Sequence, residues 1–316
     1  LIRGVGSDSP FPPSTLISSE DRAVILPTVS PTSTFSRKTR IEVVRYTPGG
    51  DYAVVTRPLY MSVEDALEEA RKLKNRELKL VAASVVADKL SGFQYLVEAF
   101  DREVDAIEVD LGLFYAIYGF RRGFESYAID IVEELIPYSK VPLIVKLAPS
   151  MPLNRDLIYE LGRAGVSRVV YSTRPVYVVG SEIFRVHSTH LSMIYSRLWR
   201  RLAGKNFTIP SMLASDIAYP NSGFEAVLLD VSIIMEKLEF GGHVKNAFPE
   251  KWLYVPEGLY PAIKGLRECA STCPYNAFSD KSNEIVVADK NLCDMCGLCI
   301  SLCGSNVTLA KELTPK

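Results

Sequence analysis

Strand-length apolar runs that alternate with amphipathic segments of helical period constrain this chain more than any other feature. The runs are Ala23–Leu26, Tyr52–Thr56, Leu80–Val86, Ala106–Asp110, Leu143–Leu147, Arg168–Ser172, Thr208–Leu213 and Ala226–Leu229. Most read as buried on both faces, as the strands of a helix-covered parallel sheet are. Between them, Val63–Leu73, Phe93–Phe100, Glu125–Ile136, Arg155–Ala164 and His187–Leu202 repeat apolar residues at helical spacing. Start and stop signals agree, as where Asn154 precedes a helix that Gly165 ends. Eight strands alternating with helices predict an α/β fold, a (β/α)8 barrel of the TIM type. A doubly wound open sheet is the alternative, but no G-x-G-x-x-G follows the first strand.

The flanks differ from this middle. Residues 1–40 carry Pro10, Pro12, Pro13, Pro27 and Pro31 among many Ser and Thr, which predicts an irregular arm. The expected plan is therefore an arm over 1–40, a barrel over 41–250 and a small module over 251–316. At 316 residues, with 47% hydrophobic and 23% charged, the chain can bury one large core plus such an appendage. Its 36 basic and 37 acidic residues leave a formal charge of −1, which removes the electrostatic reason to expect nucleic acid or an acidic membrane as a partner. No run approaches the roughly 18 apolar residues of a membrane span. Leu1 to Pro13 lacks the basic-then-apolar pattern of a signal segment, so a cytoplasmic location is expected.

All six cysteines lie between positions 269 and 303, which excludes a disulfide framework spread through a secreted fold. They belong to one local device. In Cys293-Asp-Met-Cys296-Gly-Leu-Cys299-Ile-Ser-Leu-Cys303, three thiolates at intervals of three can cap three corners of a cubane iron–sulfur cluster. Upstream, Cys269-Ala-Ser-Thr-Cys273-Pro274 has the C-x3-C-P ending of a similar run, but Leu266 and Ile263 stand where its two earlier ligands would be. Glu284-Ile-Val-Val-Ala288 supplies a short strand between the halves and Pro274-Tyr-Asn-Ala-Phe278 a turn. The region resembles a bacterial-type ferredoxin that has lost one of two clusters. That resemblance implies cross-run ligation, with Cys273, Cys293, Cys296 and Cys299 holding one [4Fe-4S] cluster and Cys269 and Cys303 left as an orphan pair. The pair is open to two states, a disulfide or two reduced thiols. A zinc site is the competing reading, since C-x2-C pairs also bind zinc, but the unbroken x2, x2, x3 spacing fits the cluster better than the separated pairs of a ribbon.

A second resemblance lies in the barrel. Asp105-Ala-Ile-Glu-Val-Asp110, Val141-Pro-Leu-Ile-Val-Lys146-Leu-Ala-Pro149 and Leu161-Gly-Arg-Ala-Gly165, running on to Ser172-Thr173, look like the middle of a dihydroorotate dehydrogenase. The match covers roughly residues 80 to 235, and a barrel followed by a ferredoxin module is similar to the C-terminal half of dihydropyrimidine dehydrogenase. The resemblance implies that Lys146 meets the flavin FMN and that the strand ending at Thr173 carries an Asn-Thr pair at the substrate. The departures are large. Where the family has Asn-x-Ser-Cys-Pro-Asn or a Ser variant, this chain reads Asp110-Leu-Gly-Leu-Phe-Tyr-Ala-Ile-Tyr-Gly-Phe-Arg-Arg-Gly, with neither the base nor the amides. The Asn of Asn-Thr is Ser172, the Gly-Gly-Ile of the phosphate site is Ala214-Ser-Asp216-Ile217, and Gly-Thr after the last strand is Asp230-Val-Ser232. A carboxylate at Asp216 would repel a phosphate.

Other candidates are local. Phe114, Tyr115, Tyr118, Phe120, Arg121 and Arg122 read as an aromatic, Arg-bearing loop. It is either an interface or a plug folded into the barrel mouth. His187 and His190 could share a helical face, but no third metal ligand stands at the right spacing. Two functional classes follow. In one, the chain is the iron–sulfur electron-transfer subunit of a two-subunit dihydroorotate dehydrogenase of the archaeal kind. Its barrel is non-catalytic, its partner is an FMN flavoprotein, and its electrons go to an external acceptor. In the other, it is an autonomous FMN-dependent dehydrogenase with a built-in ferredoxin module.

Overall fold

The computed structural model describes residues 2–229 apart from 10–11, 16, 32–39, 46–51, 58–59, 119–122, 152–154, 180–181, 204–208 and 216–223. Beyond them it describes Leu259–Lys264, Phe278, Ile285–Val287, Asp289 and Val307–Lys311. Its strands are β1 (Ile2–Val5), β2 (Asp21–Val29), β3 (Arg40–Arg45), β4 (Tyr52–Arg57), β5 (Leu80–Val85), β6 (Ala106–Asp110), β7 (Leu143–Leu147) and β8 (Arg168–Ser172). They continue with β9 (Val176–Val179), β10 (Glu182–His187), β11 (Ser211–Ser215), β12 (Ala226–Leu229), β13 (Leu259–Lys264), β14 (Ile285–Val287) and β15 (Val307–Lys311). The helices are α1 (Val63–Lys74), α2 (Leu90–Phe100), α3 (Leu111–Tyr118), α4 (Phe124–Leu135), α5 (Arg155–Ala164) and α6 (Thr189–Ala203).

Eight parallel strands close a barrel in the order β1-β12-β11-β8-β7-β6-β5-β2. The TIM-type architecture read from the alternation is therefore present, but its membership differs in two places. Residues 1–40, expected as an irregular arm, supply β1 and β2. A closed sheet gives every strand two neighbours, and β1 is the seam between β12 and β2. Gly4 makes that seam possible, because a Cβ there would lie 2.2 Å from the Ala23 carbonyl oxygen. Conversely Tyr52–Thr56 is not a barrel strand. It belongs to β4, within an antiparallel sheet of order β3-β4-β10-β9.

That second sheet is made of two hairpins inserted after β2 and after β8, both leaving the C-terminal ends of barrel strands. It lies over the barrel mouth, where Val176 N donates to Ser150 Oγ at 3.3 Å and Arg185 reaches down from β10. We refer to it as the lid sheet. Within it, Thr56 Oγ1 and His187 Nε2 are 2.8 Å apart and tie β4 to β10. The expected helix His187–Leu202 thus starts later, at Thr189, and His187 is a strand residue.

Period-two alternation sorts the barrel side chains into two cores. Val24, Leu26, Val81, Val85, Ile107, Val109, Val145 and Val169 face outward under the helices. Ala23, Ile25, Ala82, Ala106, Ile144, Val170, Met212, Ala214, Ala226 and Leu228 fill the inside. A fully buried Val, Leu or Ile contributes about 1.5–3 kcal/mol, so both layers are large stabilising terms. The covering helices form where the amphipathic period predicts. On α1, Ser62 accepts from Asp65 N at 3.1 Å as N-cap, with acids in the first turn and Arg71, Lys72 and Lys74 in the last, matching the helix dipole. Gly165 ends α5 at φ +101°, a left-handed position that favours glycine.

Helix α3 replaces the expected aromatic loop. Its sequence is apolar all round, the mark of a helix buried on every side, and Phe114 and Tyr115 are buried. Phe114 packs on Phe93, Tyr118, Phe124 and Tyr127 at centroid distances of 5.4–5.8 Å. These two residues are core, not interface. Gly112 lets α3 approach the segment after β7, since a Cβ would lie 2.4 Å from the Cβ of Ala148. Phe120, Arg121 and Arg122 lie outside the described residues, as do Asn154, Asp216, Asp230, Ser232 and all six cysteines. Farther along, β14, β13 and β15 form an antiparallel sheet in that order, and β14 falls on the strand read from Glu284–Ala288. No helix among the described residues is long and apolar enough to cross a membrane.

Candidate functional site

Along each barrel strand the inward row changes from apolar to polar toward the C-terminal end. Ala106 is followed by Glu108 and Asp110, Ile144 by Lys146, Ala82 by Ser84 and Val170 by Ser172. The polar ends meet beneath the lid sheet, which is where barrels of this type carry their functional groups. Asp110 closes β6 and also starts α3, its Oδ1 accepting from Leu113 N at 2.8 Å.

Lys146 Nζ sits at the centre, with two hydrogen bonds and a longer ion-pair contact. It contacts Asp8 Oδ1, donates to Ser7 Oγ at 2.8 Å and stands 3.5 Å from Asp110 Oδ2. Ser7 passes the polarity on, donating to Glu108 Oε1 at 2.6 Å. Arg185 enters from the lid sheet, with Nε 2.6 Å from Asp8 Oδ1 and Nη2 2.5 Å from Asp110 Oδ2. Arg174, in the turn after β8, crosses the barrel from the other side. Its Nη1 donates to Asp8 Oδ2 at 3.2 Å and its Nη2 to the carbonyls of Ser215 at 2.7 Å and Leu228 at 3.3 Å. Asp8, Glu108, Asp110, Lys146, Arg174 and Arg185 are at most 1% exposed.

Three cations and three carboxylates thus share a site screened from water, and their charge states follow from burial and neighbours. Burial opposes ionisation of Asp8, but Arg185, Lys146 and Arg174 outweigh it and hold the carboxyl well below the ordinary range. Burial pushes Glu108 up to about 7, against the pull of Lys146 and with help from Asp110. Its Oε2 has no hydrogen-bond partner among the described residues. Burial works against the charge of Arg185, yet Asp8 and Asp110 more than compensate and keep it a firm cation.

The Ser172-Thr173 pair read as a substrate position is turned to structural use. Ser172 O accepts from Trp199 Nε1 at 2.7 Å and Ser172 Oγ from Arg174 N at 3.1 Å, while Thr173 Oγ1 lies 2.9 Å from Ser192 Oγ. Of the residues singled out in the barrel sequence, the structure brings Lys146 and Asp110 together and adds four that were not singled out. For Glu108 the signal was present in the period-two row of β6. Asp8, Arg174 and Arg185 come from turns and the lid sheet, and no local pattern joins them. No group of three or more metal-ligating side chains is formed among the described residues.

No protein-family model matches the chain, and no curated protein matches it. Among solved structures it is similar to a Sulfolobus solfataricus 2-keto-3-deoxygluconate aldolase variant in complex with pyruvate. The identity is 14% and the TM-score 0.38, over 59% of each chain. The same aldolase in complex with D-KDPG gives 15% identity and a TM-score of 0.38, again over 59% of each chain. A mutant of FabK from Thermotoga maritima gives 17% identity and a TM-score of 0.33, over 55% of this chain and 50% of that one. The chain spans less than two thirds of the length of these structures.

Proposed function

We propose that this chain is an iron–sulfur electron-transfer subunit of a flavin-dependent dehydrogenase of the dihydroorotate dehydrogenase type, with a barrel that does no chemistry of its own. The observation that carries the reading is the run Cys293-x2-Cys296-x2-Cys299-x3-Cys303 with Cys273-Pro274 upstream. Four thiolates are the donor set a [4Fe-4S] cluster takes, and Cys273, Cys293, Cys296 and Cys299 would hold it. When bound, such a cluster supplies one-electron transfer. The barrel mouth supports the second half of the reading. Lys146, the position a flavin would need, hydrogen-bonds Asp8 and Ser7 and pairs with Asp110, and Arg174 and Arg185 are buried beside it. These residues do not fit a flavin, so the FMN belongs to a partner flavoprotein subunit, from which electrons pass to an external acceptor. Low net charge suits a protein partner rather than nucleic acid.

The test is anaerobic purification of the chain alone. About four irons with matching sulfide and no flavin are expected, and no dihydroorotate turnover with an artificial acceptor after FMN is added. Mixing with an FMN-loaded dihydroorotate dehydrogenase barrel should then bleach the brown cluster band when dihydroorotate is supplied. Stoichiometric flavin with turnover by the isolated chain would instead establish the autonomous enzyme.

A further inference from the structure

Helices α4, α5 and α6 follow the neighbouring strands β6, β7 and β8, so α5 packs between the other two on the outside of the barrel. Their exposed faces are segregated by charge. On α4, Asp130, Glu133 and Glu134 are exposed, and the helix has no basic residue. On α6, Arg197, Arg200 and Arg201 are exposed, and the helix has no acidic one. None of these side chains makes an ion pair among the described residues. Such segregation costs the isolated chain stability. Like charges four apart repel, as between Asp130 and Glu134 and between Arg197 and Arg201. Acids in the last turn of α4 also oppose its dipole. Other helices mix the signs, with Glu68–Lys72 on α1 and Glu160–Arg163 on α5 paired within one helix. Apolar groups share the charged faces. Tyr127 of α4, Tyr159 of α5 and Met193 of α6 are exposed, Tyr159 by 60%. Tyr95 and Tyr138, the other large exposed hydrophobics among the described residues, lie on α2 and just after α4, and α2 packs on α4.

We infer that the α4–α5–α6 face is an interface for a second copy of this chain, related by a two-fold axis that passes near Tyr159. A two-fold axis sets the same patch against itself in reverse, so the acidic helix of one copy meets the basic helix of the other, twice. A patch of one sign would repel its copy. This one complements itself because the two signs lie on opposite sides of α5. Tyr159 then meets its counterpart near the axis, and exposed tyrosines are the anchors that protein interfaces favour. A partner carrying charge of a single sign would match one half of the face and be repelled by the other. The inference rests neither on the cluster nor on the barrel mouth.

The experiment measures the mass of the full chain by sedimentation velocity over a concentration series, for the parent and two charge-reversed variants. One variant carries Glu133→Lys with Glu134→Lys, the other Arg197→Glu with Arg200→Glu. The parent should form a dimer whose Kd rises with salt. Each variant alone sets like charges against like, so its self-association should weaken about a hundredfold, while its circular dichroism stays that of the parent. Mixed in equal amounts, the two should restore a dimer, because the acidic face of one then meets the basic face of the other. Tyr159→Ala should weaken the parent dimer roughly thirtyfold. A parent that is monomeric throughout would overturn the inference, as would variants that associate as the parent does or that stay apart when mixed. Variants that keep the dimer but lose binding to the flavoprotein would overturn it too, by assigning the face to that partner.

Discussion

Glu108→Gln should change how the stability of the barrel depends on pH, and the size of the effect follows from the site. Glu108 lies inside the barrel with its carboxyl pushed to about 7 by burial, against an ordinary 4.5. Below about pH 4.5 the folded and unfolded chains both carry the proton. As pH climbs toward 7 the unfolded chain releases it while the folded one keeps it, so stability falls with rising pH. Above that window both are ionised and the loss is complete, at about 3 kcal/mol for the interval from 4.5 to 7 at 1.36 kcal/mol per decade. Asp8 acts in the opposite sense. Its folded carboxyl is depressed, so its stabilisation is present above its ordinary 3.8 and fades as pH falls further, equally in both proteins. Gln is neutral throughout and close to protonated Glu in shape. The difference in unfolding free energy should therefore start near zero at about pH 4.5 and reach about 3 kcal/mol in favour of Gln by about pH 8. Urea unfolding at a series of pH values, followed by the fluorescence of the buried Trp199, measures it. Parallel curves for the two proteins, or a less stable Gln variant at pH 8, would show that the carboxylate is fully accommodated by Lys146 and refute the reasoning.

Other outcomes are as specific. Arg185→Met leaves Asp8 and Asp110 short of a counter-ion, so a loss of about 3–5 kcal/mol is expected, with faster hydrogen exchange in β9 and β10 as the lid sheet loosens. Phe114→Ala should cost about 3–5 kcal/mol of the chain's own stability; an effect confined to partner binding would return this residue to an interface role. Cys273→Ser should lower the iron content or alter the electron paramagnetic resonance signal although it lies well before Cys293. An unchanged spectrum and iron count would mean that the fourth ligand is elsewhere.

The barrel was legible because its strands are buried on both faces and so read as continuous apolar runs. Seven of the eight runs, from Ala23–Leu26 to Ala226–Leu229 with Tyr52–Thr56 as the exception, are barrel strands. Strand β1 escaped notice because Ile2–Val5 is four residues long, includes Arg3 and Gly4, and precedes a Ser- and Pro-rich stretch. The lid sheet left a trace, since Val176–Val179 and Glu182–His187 flank Gly180-Ser181, a two-residue hairpin signal. The adjoining helical pattern obscured it. Helix α3 was hidden by its lack of any polar face. At the site, Lys146 and Asp110 could be seen at strand ends, whereas the convergence on Asp8 depends on barrel closure. It joins residues 8, 110, 146, 174 and 185, which no local window contains.

The pairing of Ile2 with Ala226 makes the order of synthesis matter. While the chain is still growing on the ribosome, β1 can dock on β2, and Arg3 favours this early through Glu20 at 3.0 Å and Asp21 at 3.2 Å. The other side of β1 then waits, unpaired, until β12 emerges. During that interval the nascent sheet has two bare edges of apolar strands, each a template for a neighbouring polysome product. Closure of so distant a pair is slow. The seam between β1 and β12 is therefore the last part of the barrel to be completed, after most of the polypeptide has already been made.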